Sequence, residues 1–90
     1  SEIEQIAVLM LDDLAKRLDG LNIIFSYTKE ALTEIARLGF DKEYGARALR
    51  RVISSSVEDP ISDKIISGDI RASDTIVLTL KNNTLFIENR

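Results

Sequence analysis

Apolar residues recur at helical spacing from the start of the chain. Ile3, Ile6, Ala7, Met10, Leu11, Leu14 and Leu18 share one broad face, opposite Glu4, Gln5, Asp12 and Lys16, which predicts an amphipathic helix. Leu9 falls on the opposite side and Val8 at the border. Leu9 then reads either as a scattered surface apolar residue or as a contact for a neighbouring element, and both readings stay open. After Asp19-Gly20 the period changes: Leu21, Ile23, Phe25 and Tyr27 alternate with Asn22, Ile24 and Ser26, as in a mostly buried strand. Thr28 is a good N-cap for a second helix, with Tyr27 before it able to staple onto Leu32. Leu32, Ile35, Ala36 and Leu38 are expected to face inward. Gly39 is expected to close this helix in the left-handed conformation, with Phe40 folding back onto Ile35.

Further along, Leu49, Ile53, Val57, Ile61 and Ile65 repeat every fourth position with Val52 and Ile66 beside them, so one apolar register runs past Pro60. A proline lacks an N–H and its ring opposes the carbonyl four residues back. One helix is therefore expected, with a bend near Pro60 or a fresh start capped by Asp59. Gly68 should stop it. Thr75 to Leu80 and Leu85 to Glu88 read as two strands around Lys81-Asn82-Asn83-Thr84, where the asparagines tolerate the positive backbone angles of a tight hairpin. The expected architecture is α+β: about three helices, the last long and kinked, cover one face of a three-stranded sheet that ends in a C-terminal hairpin. With no repeat, linker or low-complexity stretch, residues 1–90 are expected to form a single domain.

Composition narrows the function classes. Hydrophobic residues make up 44% and charged residues 30% of the chain, an ordinary globular balance. A formal net charge of −3 argues against a general polyanion binder and leaves room only for a local basic spot. Cysteine and histidine are absent, which removes thiolate chemistry, disulfides and the usual base and metal ligand. The longest apolar run, Ile6 to Leu11, is far below the ~20 residues that cross a bilayer. No membrane association is expected, and a reducing cytoplasm is compatible.

The densest chemistry lies in Gly39-Phe40-Asp41-Lys42-Glu43-Tyr44-Gly45-Ala46-Arg47-Ala48-Leu49-Arg50-Arg51, where a helix end passes through a loop into a basic helix start. Small residues there let the backbone come close to a ligand, the new helix offers unpaired N–H groups, and the Arg47 guanidinium can grip phosphate oxygens through two parallel hydrogen bonds. Gly-Ala-Arg alone is a weak motif, because an arginine at a helix start is usually a solvated surface residue. Arg50 and Arg51 share the helix but point to different sides. One of them reads as an interface or salt-bridge residue. The acid pairs Asp12-Asp13 and Glu58-Asp59 diverge for the same reason and read as solvated charge or caps rather than a magnesium site. Ser54-Ser55-Ser56 has no histidine to activate a hydroxyl and reads as a polar helix face.

Together with Val57-Glu58-Asp59-Pro60-Ile61-Ser62 downstream, this stretch resembles the C-terminal small (lid) subdomain that follows the second ATPase core of Clp-type AAA+ unfoldases and disaggregases. The resemblance covers nearly everything from Ile3 to Glu88. It implies that Arg47 is the sensor-two arginine, reaching the γ-phosphate of ATP held by the large AAA+ subdomain of the same chain. Tyr44, Gly45, Ala46 and Ala48 would lie near the nucleotide. The sheet and outer helix faces would dock on the next subunit of a hexamer, and the full-length protein would handle unfolded protein substrates, with or without a peptidase. Ala48 stands where the family commonly has proline, and Ser73 where glycine is frequent, which bears on loop rigidity rather than on a charged contact. No Gly-x-x-x-x-Gly-Lys-Ser/Thr loop and no apolar strand ending in an acidic pair is present, so ATP hydrolysis, and the magnesium it needs, would belong to the full-length protein. Two rivals remain: a winged-helix nucleic-acid module, opposed by the acidity, and a stand-alone domain that binds a peptide through Leu9, Val8 and a sheet edge.

Overall fold

The computed structural model describes residues 2–40, 43 and 45–90. Helix α1 (Glu2–Asp19) leads into strand β1 (Ile24–Tyr27) and helix α2 (Lys29–Gly39). After a loop comes a helical run made of α3 (Leu49–Ile53), a π-helical segment (Ser54–Glu58) and α4 (Asp59–Ser67), followed by the hairpin strands β2 (Thr75–Lys81) and β3 (Thr84–Asn89). The sheet order is β1-β2-β3, with β1 parallel and β3 antiparallel to the central β2. The fold class is the α+β architecture read from the sequence. Among the described residues, no helix is long and apolar enough to cross a membrane.

The parallel β1–β2 pair explains why helices occupy the intervening chain, because a parallel crossover needs a long connection that packs back onto the sheet. Phe25, Ile76, Leu78 and Ile87 supply the covered face of the sheet. Against them pack Ala7, Leu11, Leu14 and Leu18 from α1, Ala31 and Ile35 from α2, and Leu49, Ile53, Val57 and Ile61 from the helical run. These are the stripes expected from periodicity. Thr28 caps α2 as expected, its hydroxyl accepting from the Ala31 N–H at 3.1 Å. Asn82 and Asn83 form the two-residue hairpin turn with φ of 52° and 61°, and Gly68 ends α4 at φ 86°.

Local expectations fail at several places. Strand β1 begins at Ile24, not Leu21; Asn22 adopts φ 63° in a turn and leaves Leu21 56% exposed. Leu38 and Ile66, placed on apolar stripes, are exposed, Ile66 at 85%, because each falls just past the arc that its helix buries. Gly39 remains inside α2, and the residue after it, Phe40, is extended and exposed, so no left-handed cap forms and Phe40 does not return to the core. Of the two alternatives read at Pro60, the fresh start does not form, because Asp59 has ordinary helical angles of −64° and −46°. The chain accommodates Pro60 by widening the preceding turn: the Asp59 N–H donates to the Ser54 carbonyl five residues back. That is how a helix makes room for a ring that would otherwise meet the carbonyl four residues earlier.

Candidate functional site

The site is built by a sharp turn between α2 and α3. Gly45 adopts φ 65°, a conformation that side chains disfavour, and a β-carbon added there would meet open space; the backbone angle rather than crowding calls for glycine here. Ala46 packs half-buried against the core. Its carbonyl accepts from the Leu49 N–H at 3.0 Å, and the Ala48 carbonyl accepts from the Val52 N–H at 3.0 Å. Ala48, with angles of −79° and −9°, contributes no side-chain cap to α3. Arg47 therefore lies on the outside of a turn pinned on both sides, and it is exposed. Of the residues assigned to this site from the sequence, Gly45, Ala46, Arg47 and Ala48 are brought together. Tyr44 lies outside the described residues, as do Asp41 and Lys42.

A contact invisible in the sequence sets the position of this turn. Gly39, the buried last residue of α2, faces Leu49, the fully buried first residue of α3. Sequence reasoning assigned Gly39 to a cap and missed this packing role, since nothing local marks a glycine as a site of close approach.

The three arginines diverge. Arg50 lines a cleft of about 190 Å³ between α1 and the helical run, together with Leu9, Met10, Asp13, Arg17, Ile53 and Glu58. Arg51 is exposed on another side, where its carbonyl accepts from the Ser55 hydroxyl at 2.9 Å. Glu58 anchors the cleft: its carboxylate accepts from Arg17 at 2.5 Å and from the Ser54 hydroxyl at 3.0 Å. The Arg17 hydrogen bond, aided by Ser54 and the charge of Arg50 against partial burial, holds the Glu58 carboxyl below the usual glutamate range. Asp13 pairs with Arg17 at 3.3 Å, while Asp12 accepts from the Tyr27 hydroxyl at 3.2 Å. The Asp12-Asp13 pair thus splits between separate partners, and no group of three or more metal-ligating side chains forms among the described residues. Arg50 lines this cleft, and its charge acts on Glu58.

Residues 1–78 match the family model for the C-terminal, D2-small domain of ClpB protein. The chain belongs to this family. It is 38% identical over 88 residues to the chaperone protein ClpB of Lactiplantibacillus plantarum, a match that covers 98% of this chain and 10% of the relative. ClpB of Aquifex aeolicus is 41% identical over 81 residues, covering 90% of this chain and 8% of that protein. The mitochondrial ClpB4 of Arabidopsis thaliana is 40% identical over 78 residues, covering 87% and 9%. The chain thus spans about a tenth of the length of the curated relatives it matches. Family membership agrees with the Clp AAA+ resemblance carried by the Gly45-Ala46-Arg47 step and the Glu58-Asp59-Pro60 step. The nucleic-acid rival needs one shared basic face, whereas Arg50 turns into a cleft of mixed charge beside Asp13, Arg17 and Glu58.

Proposed function

We propose that residues 1–90 are a single lid subdomain of a ClpB-type AAA+ chaperone, in which Arg47 is the sensor-two residue that contacts the γ-phosphate of ATP bound by the large subdomain of the same chain. The observation that carries this reading is the turn from Gly45 to Ala48. A positive-φ glycine and a core-seated alanine hold the exposed Arg47 at the start of a helical run whose far end is rooted in the core. An arginine whose backbone is held in that way meets phosphate charge at a lower ordering cost than one on a free loop. Gly45, Ala46 and Ala48 let the backbone approach the nucleotide, and Tyr44 joins them by the family resemblance.

On this reading the lid is not an enzyme by itself. The phosphate-binding loop and the magnesium ligands belong to the large subdomain, so the isolated chain holds ATP weakly or not at all. The exposed Leu9 of α1 and Phe86 on the open face of the sheet offer apolar surface for neighbouring subunits of a hexamer. Unfolded protein substrates belong to the assembled machine in the cytoplasm, and a peptidase partner depends on loops outside this chain. ATP turnover of the full-length chaperone carrying Arg47→Ala, beside Arg50→Ala and Arg51→Ala, tests the assignment. A dominant loss at Arg47 supports it; equal losses at all three positions would indicate a diffuse basic patch instead.

A further inference from the structure

We propose that the outer edge of β1 is a docking site for an extended polypeptide segment, which adds as a fourth strand beside β1, seats an apolar side chain in the groove against α1, and sets a basic residue by Asp19. The proposal is independent of the nucleotide site. Its first support is hydrogen-bond geometry. Strand β1 pairs with β2 in a parallel register of Ile24 with Thr75 through Tyr27 with Leu78. Ile24 donates to the Asp74 carbonyl at 3.0 Å and Thr28 to the Leu78 carbonyl at 2.9 Å. The amides of alternate residues point the same way along a strand, so Ile24, Ser26 and Thr28 are committed to β2 while Phe25 and Tyr27 turn their N–H and C=O groups to the open side. A row of main-chain donors and acceptors at strand spacing is complementary to another peptide backbone.

The groove beside this edge supplies the side-chain part. It has a volume of about 310 Å³ and is lined by Ala15, Lys16 and Asp19 of α1 and by Ile23, Ile24 and Phe25. Its floor is apolar and its charges sit on the α1 rim. Helix α1 runs antiparallel to β1, because Tyr27 bonds to Asp12 at one end and the Ile23 N–H bonds to the Leu18 carbonyl at the other. Lys16 and Asp19 therefore line the rim, with Asp19 at the Ile24 end, and Asp12 follows on α1 beside Tyr27. Ile24 is 58% exposed, and the strand Ile-Phe-Ser-Tyr carries no lysine, proline or bulge of the kind that guards an edge. The end of the opposite edge is guarded: Glu88 pairs with Arg90 at 2.9 Å, and the Asn89 amide is clasped by the Asp69 carbonyl and the Asp74 carboxylate.

The charge order selects the occupant. Two copies of this chain paired edge to edge through β1, antiparallel about a two-fold axis, would set the Asp19 of one opposite the Asp12 end of the other, bringing like charges together. An extended segment with alternating apolar residues and a terminal basic residue meets the same edge without that conflict.

The test is amide hydrogen exchange on the 90-residue chain with the synthetic peptide Lys-Val-Thr-Val-Thr-Val-Lys. At about millimolar peptide, exchange at Phe25 and Tyr27 should slow by about tenfold, while Ile24 and Ser26, already bonded to β2, should not change. Ile24→Lys, at an exposed position that leaves the fold intact, should abolish the protection; Phe86→Lys on β3 should leave it. A peptide N-methylated at alternate amides should give none. Unchanged exchange at Phe25 and Tyr27 would overturn the proposal. So would protection that rises with protein concentration without peptide, which would make the occupant a second copy, or equal loss in both lysine variants, which would move the site to the open face of the sheet.

Discussion

Gly39 and Leu49 touch so closely that a β-carbon on Gly39 would stand 2.8 Å from Leu49 Cγ and 3.0 Å from Leu49 Cα. The end of α2 and the start of α3 are thereby locked at backbone distance, and the loop that carries Arg47 is strung between them. Leu49 is fully buried and cannot swing aside, so the contact fixes where the helical run starts.

Gly39→Ala sets two effects against each other. Alanine gains helix propensity of about 0.5–1 kcal/mol, whereas overpacking against a rigid neighbour typically costs about 1–3 kcal/mol. Because the clash includes the Leu49 backbone, overpacking should win, with a net loss of about 1–2 kcal/mol in denaturant unfolding. Any gain in stability would show that α3 moves freely away from α2.

Arg47→Ala should leave folding intact, changing stability by no more than about 0.5 kcal/mol, because the side chain is exposed and outside the apolar stripe. In the full-length chaperone the same change should lower ATP turnover on the order of 10² to 10⁵-fold, as for arginines that neutralise charge in phosphoryl transfer. Arg50→Ala should act differently: it removes a charge that helps keep Glu58 ionised and should shift stability slightly while sparing turnover. Steady-state hydrolysis with thermal melts of all three arginine variants separates these outcomes.

Glu58 gives the fold an acid-sensitive contact between α1 and the π-helical segment. Its folded pKa lies below the ordinary value of 4.5, first because Arg17 donates to it. The contact therefore contributes fully above the unfolded value and is lost as pH falls through the folded one. Since the Arg17 side chain is 58% exposed, screening limits the contribution to about 0.5–1 kcal/mol. Glu58→Gln should lose that much near neutral pH, and the gap to the parent should close in acid. Asp74, also held low, first by the Arg71 N–H and then by Asn89, titrates in both proteins and drops out of the difference. A gap independent of pH would mean that shape rather than charge carries the contact.

Pro60→Ala probes the π-helical segment. Alanine restores an N–H, worth about 0.5–1.5 kcal/mol if it finds a carbonyl, but frees the unfolded chain at a cost of about 0.4–1 kcal/mol. The net change should stay within about 1 kcal/mol, because the wider turn already accommodates the ring. Stabilisation near the ~3 kcal/mol typical of a strained interior proline would contradict that account.

The sequence by itself determined the elements whose cause is local or periodic. The stripes Ala7, Leu11, Leu14, Leu18 and Leu49, Ile53, Val57, Ile61 must be buried wherever those helices pack; Thr28 caps by its own hydroxyl; Gly68 and the Asn82-Asn83 pair mark positive φ by residue type. The Gly45-Ala46-Arg47 turn was legible in the same way, because small residues at a helix start constrain the backbone on the spot. Tertiary structure decided what depends on residues far apart in the chain. Arg17 meets Glu58 across 41 positions, and Gly39 is a contact surface for Leu49 rather than a cap. Leu38 and Ile66 are exposed because each falls just past the arc that its helix buries. Periodicity states which face of an element is apolar; only packing states how far the partner that covers that face extends.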